Sequence, residues 1–219
     1  SVCVGVYVDT RYRERERYID IICESIERCC RARPGNYLVF FSAYHFMRQV
    51  HDRFNQLYPD TTTLLQQREF DDDAQQQFLS RFFGADEQLG FAIMGGRFAE
   101  GIDYRGNALI GAIIVGVGLP QANSEQQLIQ QDFEALQLDG FDYAFRFPGL
   151  IRVKQSAGRV IRDEQDRGVV VLLDRRFQQP GYARYLPAHW HPTYCNDPVS
   201  LEQSLLRFWD NLEDRNAPD

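Results

Sequence analysis

Short apolar runs alternate with amphipathic stretches of helical period along this chain, and that alternation leaves few architectures open. Val2 to Val8 is alternating and β-branched, as a strand requires. Asp9-Thr10 offers a helix N-cap, and Tyr18, Ile22, Ile26 and Cys29 or Cys30 then recur at helical spacing until Pro34-Gly35 stops them. The pattern repeats with a strand at Tyr37 to Phe41, a cap at Ser42, and a helix through Phe46, Val50, Phe54 and Leu57. Thr61 to Leu65 is a third strand. Asp71-Asp72-Asp73 then opens a helix through Phe78, Phe82 and Phe83, where acids at the positive end of the helix dipole are a better reading than a metal site. Gly90 to Met94, Ala108 to Val117 and Val169 to Leu173 are further strands, the last apolar throughout, as strands buried on both faces are. Ala122 to Leu138 reads as a Gln-rich helix, and Gly140 to Pro148 has no clear assignment. From about Pro148 to Arg162 a helix puts Leu150, Val153, Ala157 and Val160 on one side and Gln155, Gly158, Arg159 and Arg162 on the other. Strand then helix, repeated, predicts an α/β fold with a mainly parallel central sheet covered by helices.

With 219 residues, 44% of them hydrophobic, the chain can bury one substantial core. The expected division is a domain over 1–190 and an extension over 191–219, whose helix (Leu201, Leu205, Phe208, Leu212) packs on the domain or on a partner. No apolar run reaches membrane-spanning length, and charged Arg11 to Arg17 interrupts any signal peptide, so no membrane contact is expected. The cysteines, Cys3, Cys23, Cys29, Cys30 and Cys195, form no CxxC pair and are odd in number, which points to a reducing, cytoplasmic setting. His189, His191 and Cys195 come nearest to a metal pattern, but a surface loop anchored by Trp190 is the better reading. A formal net charge of -7 excludes a broad basic face for nucleic acid, so any such contact is local. Lys154, the one lysine, follows Val153 and not glycine, so there is no phosphate-cradling P-loop.

In open α/β sheets, ligands bind outside the carboxyl ends of the strands. Ser42 to Tyr44, Gly95 to Gly106 and Asp174 to Arg176 are all candidates for that edge. The loop from Gly95 is rich in glycine and carries Glu100 and Asp103. Its glycines permit close backbone approach to a phosphate or base, and its carboxylates can accept from ribose hydroxyls or arginines; a tight turn with surface acids remains the alternative. Arg159 and Arg162 beside Gly158 suit a phosphate, which guanidinium grips with a rigid fork of donors; a solvated polar face is the plainer reading.

Taken in order, Phe40-Phe41-Ser42-Ala43-Tyr44, Gly96-x-x-x-Glu100-Gly101-Ile102-Asp103-Tyr104, Gly118-Leu119-Pro120, Gln155-x-x-Gly158-Arg159-x-Ile161-Arg162 and Leu173-Asp174-Arg175-Arg176-Phe177 are specific jointly. Over about Val2 to Tyr185 the chain resembles the second motor domain of superfamily 2 helicases, most of all the XPD/DinG branch. The resemblance implies a RecA-like three-layer sandwich. It implies that Gln155, Arg159 and Arg162 match the sixth motif, whose arginines reach across an interdomain cleft to the γ-phosphate of ATP, with one of them as the finger. Gly158, Glu100, Gly101 and Asp103 fall to the nucleotide side, the last three in a fifth motif that couples it to the nucleic-acid track. Ser42, Tyr44, Gly96 and Arg97 fall to single-stranded DNA. Family members commonly carry Ser where this chain has Ala43, which removes a hydroxyl contact at that point.

A first motor domain is missing: neither a Walker A motif nor an Asp-Glu-x-His or Asp-Glu-x-Asp closing an apolar strand is present, since Asp163-Glu164-Gln165-Asp166 follows the arginine helix. The resemblance therefore implies half of an ATP site, with ATP and Mg2+ shared with an N-terminal helicase domain of the same protein or of a separate chain, and no iron–sulfur cluster in this chain. The expected function is the second motor of an ATP-dependent DNA helicase of the DNA-repair type, inactive alone. Two rivals stay open. One is a non-catalytic interaction module that keeps the fold and binds protein through Leu201 to Leu212 or Phe78 to Phe83. The other is an unrelated α/β nucleotide- or sugar-binding enzyme.

Overall fold

The structure, a computed structural model, describes residues 1–69, 71–84, 87–95, 109–160 and 167–216. Its strands are β1 (Val2–Gly5), β2 (Tyr37–Phe41), β3 (Thr63–Leu65), β4 (Leu89–Ile93), β5 (Gly111–Val115), β6 (Val169–Leu173) and β7 (Thr193–Cys195). They form one seven-stranded sheet in the order β3-β4-β2-β5-β6-β1-β7. Every pairing is parallel, with Val39 opposite both Phe91 and Ile113, and Val4 opposite Leu172 and Tyr194.

Parallel strands need crossovers, and here helices supply them on both faces. The helices are α1 (Ile19–Ala32), α2 (Tyr44–Leu57), α3 (Asp72–Phe83), α4 (Ser124–Ala135), α5 (Phe147–Ala157), the short α6 (Pro180–Ala183) and α7 (Pro198–Asn216). Alternate strand residues divide between two cores. Tyr37, Val39 and Phe41 pack with α1, α2 and α7 on one face, while Leu38 and Phe40 pack with α3 and α5 on the other. Each fully buried large apolar side chain contributes about 1.5–3 kcal/mol, so the central strands hold the molecule together.

Several boundaries depart from the sequence reading. β1 ends at Gly5, and Asp9-Thr10 does not cap α1, which starts ten residues later behind a 3-10 turn at Arg15–Tyr18. Thr10 is instead drawn away to Asp174, and Asp9 to Arg11. The cap position of α2 belongs to Ala43, not Ser42, and provides no side-chain bond. Asp71 does cap α3, accepting from the Ala74 amide at 2.8 Å. Gly140 to Pro148 resolves into a π-helical turn at Asp142–Arg146 that runs directly into α5, with Pro148 in the first turn of α5. α5 stops at Ala157, short of Arg162; Gly158 to Val160 continue as a tighter turn, with the Arg159 amide donating to Ser156 and that of Val160 to Ala157.

The segment after residue 190 is built into the domain. β7 pairs with β1, and α7 buries Leu201, Leu205 and Trp209 in the same core as α1. Phe78 and Phe82 are buried too, so the surfaces expected to serve an interaction module, Leu201 to Leu212 and Phe78 to Phe83, spend most of their apolar residues on the chain's own core. No helix among the described residues is long and apolar enough to cross a membrane.

Candidate functional site

The sheet creates a crevice where neighbouring strands send their connections to opposite faces. β2 is followed by α2, whose Phe46, Met47 and Val50 join one core, whereas its neighbour β5 returns through α5, whose Leu150 and Val153 join the other. At the carboxyl ends of these strands lies a cleft of about 1030 Å³. Its walls come from the segments after β1 (Thr10, Arg11, Tyr12, Arg15), β2 (Ser42 to His45, Arg48), β3 (Arg68), β5 (Val117 to Ala122) and β6 (Arg176).

Two glycines after β5 set how closely its neighbours approach. Gly116 has φ +91, and a Cβ there would meet Thr10 Oγ1 at 2.8 Å. Gly118 has φ +71 and lies so close to α5 that a Cβ would sit 2.5 Å from the Gly149 carbonyl oxygen. A side chain at Gly116 would push the loops after β1 and β5 apart, and one at Gly118 would push the loop after β5 off α5.

The charges of the cleft are arranged unevenly. Asp174 is fully buried and accepts from the Thr10 amide at 3.3 Å and Thr10 Oγ1 at 2.5 Å, and from the Arg176 amide at 2.8 Å, Nε at 2.9 Å and Nη2 at 2.7 Å. Burial pulls the pKa of Arg176 down, but the bonds and charge of Asp174 outweigh it and leave it above the ordinary value. Arg11 is matched by Asp9 at 3.1 Å. Arg48 reaches Asp52 only at 3.8 Å, with both side chains exposed, a pairing worth little in water. Arg15 and Arg68 have no carboxylate partner among the described residues. The N-terminus of α2, without a side-chain cap, opens beside them and adds its positive dipole end. Cationic side chains and a helix N-terminus around one open groove favour an anion in extended contact.

A second surface lies along α5. Leu150, Val153, Ala157 and Val160 are buried, as the pattern required, and Gln155 and Gly158 are exposed with Arg159 half-buried. A Cβ at Gly158 would meet, among the described residues, only the helix's own Lys154 and Gln155 carbonyls, so a ligand can approach the backbone there. Arg152, on the same helix, packs over Gly95, where a Cβ would lie 3.3 Å from its Cγ. Gln155, Gly158 and Arg159 do not line the cleft, which is where Ser42 and Tyr44 stand. Gly96, Arg97, Glu100, Gly101, Asp103 and Arg162 lie outside the described residues. Among the described residues no group of His, Cys, Asp or Glu is placed to hold a metal ion.

Sequence reasoning missed Thr10, Tyr12, Arg15, Arg48 and Arg68. Arg11 to Arg17 stood out only as a charged interruption, and the one local signal for Arg48 was its place one turn beyond Tyr44 on the same helix face.

Comparison with known proteins bears on the family and the fold. The family described as "Helicase C-terminal domain" matches residues 26–193. The ATP-dependent DNA helicase XPD of Sulfolobus acidocaldarius is 28% identical over 184 residues, covering 80% of this chain and 31% of that protein. The 3'-5' exonuclease DinG of Staphylococcus saprophyticus is 26% identical over 177 residues, covering 80% of this chain and 19% of its own length. This chain thus spans about a third or less of the curated relatives it matches. An apo XPD structure superposes over 88% of this chain and 39% of its own with a TM-score of 0.72 at 22% identity. Domain 2 of the DEAD-box helicase Mss116p, bound to an RNA duplex, superposes over 94% of this chain and 67% of its own with a TM-score of 0.51 at 11% identity. At those identities the structures speak for the RecA-like sandwich alone. The family match over most of the chain, together with the XPD and DinG relatives, places this protein in the helicase C-terminal domain family, as a C-terminal motor domain of the XPD/DinG type.

Proposed function

We propose that this chain is the second motor domain of an ATP-dependent DNA helicase, contributing an arginine finger to ATP hydrolysis and one wall of a single-stranded DNA track. What carries the reading is the separation of two donor surfaces on one rigid sheet: Ser42 and Tyr44 in the arginine-lined cleft, and Gln155, Gly158 and Arg159 on the outer side of α5. A domain built this way can hold a strand at one surface and a nucleotide at the other, and transmit movement between them through its core.

The donor set on α5 fits a nucleotide phosphate. Gln155 offers an amide, Gly158 an open backbone and Arg159 a guanidinium. Bound ATP with Mg2+, held by an N-terminal helicase domain of the same protein or of a separate chain, supplies the phosphoryl group and the metal's neutralising charge. Arg159 and Arg162 neutralise charge on that group as it transfers, a contribution that dominates catalysis of such reactions. Glu100, Gly101 and Asp103 link that surface to the track, where Ser42, Tyr44, Gly96 and Arg97 hold the strand. Because its sequence carries neither a Walker A motif nor an Asp-Glu-x-His or Asp-Glu-x-Asp closing an apolar strand, this chain hydrolyses nothing by itself. Closure of the two domains around ATP, and release after hydrolysis, moves the domain along DNA. An iron–sulfur cluster, if the whole protein has one, is held outside this chain.

The test is reconstitution. The isolated chain is expected to show no ATP turnover, and addition of the N-terminal half to restore DNA-stimulated hydrolysis. Arg162→Ala should lower that rate by roughly a thousandfold or more. Robust turnover by the chain alone would sink the split-site reading.

One observation favours the non-catalytic interaction module as a second reading. α4 has no buried residue, and it and the turn after it expose Leu128 at 58% and Leu136 at 68%. Full activity of the reconstituted protein with both Arg159 and Arg162 replaced by Ala would favour it.

A further inference from the structure

At the mouth of the cleft the ring of Tyr12 is 81% exposed, more than any other large hydrophobic side chain of the described residues. Exposure alone says little of a tyrosine. This one is backed: the Arg15 guanidinium carbon lies 4.7 Å from its ring centroid. The same carbon lies 4.9 Å from the centroid of Phe46, which is buried and stands edge-on to Phe41 in the core at 5.9 Å and 80°. A continuous chain of ring and guanidinium contacts thus runs from core to solvent, Phe41, Phe46, Arg15, Tyr12. The turn beneath it is fixed as well, since the amides of Glu14 and Arg15 both donate to the Arg11 carbonyl at 2.9 Å.

Arg15 itself is unusual. Its buried Nε has no hydrogen-bond partner, and its charge rests on aromatic faces instead of on a carboxylate. The pair therefore presents a flat ring with a cation behind it, in a groove where Arg48 and Arg68 are available to phosphates. Aromatic rings in a cationic groove are the general solution for holding successive bases of a single strand without regard to sequence, because every base has a π face. A ring already held by Arg15 loses little freedom when a base lands on it.

We infer that Tyr12, held by Arg15 against Phe46, is a stacking platform for a nucleobase of single-stranded nucleic acid, an inference that rests on the cleft being the strand track proposed above. The experiment titrates the 219-residue chain, by fluorescence anisotropy, with a labelled thymidine oligonucleotide and with an abasic strand of equal length. Tyr12→Ala is expected to weaken binding of the thymidine strand about tenfold and leave the abasic strand unchanged, while Tyr12→Phe keeps both. Arg48→Ala should weaken both strands by one factor, as loss of a phosphate contact does. Tyr12→Ala that weakens both strands equally, or neither, overturns the platform while the track stands. Binding of neither strand by the unmodified chain removes the track and the platform together. Loss of affinity for free ATP with strand binding unchanged would assign the ring to a mononucleotide and overturn the inference.

Discussion

Asp174 shows how the cleft is held at the scale of one residue. A fully buried carboxylate is costly unless its lone pairs are filled, and Thr10 and Arg176 fill them. Removing it leaves Arg176, whose side chain is 11% exposed, as a buried charge with the Thr10 hydroxyl at 2.9 Å but no carboxylate. Asp174→Ala is therefore expected to lower stability by about 3–5 kcal/mol, read from urea denaturation. Asp174→Asn should recover part of that loss, because it still accepts from Thr10. The position of Asp174 was legible, since it closes an apolar strand. Its partner Thr10 was not, because it lies 164 residues away and offered itself locally as a helix cap. Among the cysteines, burial pushes the Cys23 and Cys30 thiols up to about 12, which keeps them protonated near neutral pH.

At the scale of elements, α7 is fastened to α1 by Glu202, which pairs with Arg28 at 2.5 Å and with Arg31 at 2.8 Å. Burial raises the pKa of Glu202, but the hydrogen bonds and charges of Arg31 and Arg28 outweigh it and hold it below the ordinary range. A carboxylate depressed in the folded state stabilises above its unfolded value of about 4.3, and that contribution is lost as pH falls through the lower folded value. Stability is thus expected to drop on acidification below about pH 4.3, with a shallower drop in Glu202→Gln, measured as thermal midpoint against pH. The clamp acts together with packing, because Leu201, Leu205 and Trp209 of the same helix are buried against the core. α7 was legible from its apolar stripe, although the buried aromatic proved to be Trp209, with Phe208 only partly covered. β7 was not, because Thr193 and Tyr194 are exposed and only Cys195 is buried, so three residues at a sheet edge present no apolar period. α5 ran long in the sequence reading because Gly158-Arg159-Val160 keeps the apolar period after the helical bonding has tightened.

For the whole molecule, a net charge of -7 and a cationic cleft are compatible because Arg11, Arg15, Arg48, Arg68 and Arg176 meet at one cleft, whatever the balance over the rest of the surface. Strand binding through Arg48 and Arg68 is expected to weaken with salt with a log–log slope of about -1.4, at about 0.7 for each of these phosphate contacts. Arg48→Ala should flatten the slope by about 0.7, measured by titration across salt concentrations. A slope near zero would remove phosphate from the account of the cleft.

Sequence alone determined the layers. Alternation of apolar strands with amphipathic helices is written in consecutive residues, and burial on both faces makes Tyr37 to Phe41 and Val169 to Leu173 apolar throughout. The ordered motifs determined the family in the same way, because spacing along the chain survives divergence. The cleft was decided only by tertiary structure. β1 is inserted between β6 and β7, away from β2, and that order brings the loop carrying Tyr12 and Arg15 to the cleft shared with Ser42, Tyr44 and Arg176. Strand order is set by how the crossovers pack over the whole sheet, a long-range balance that no local stretch of sequence encodes.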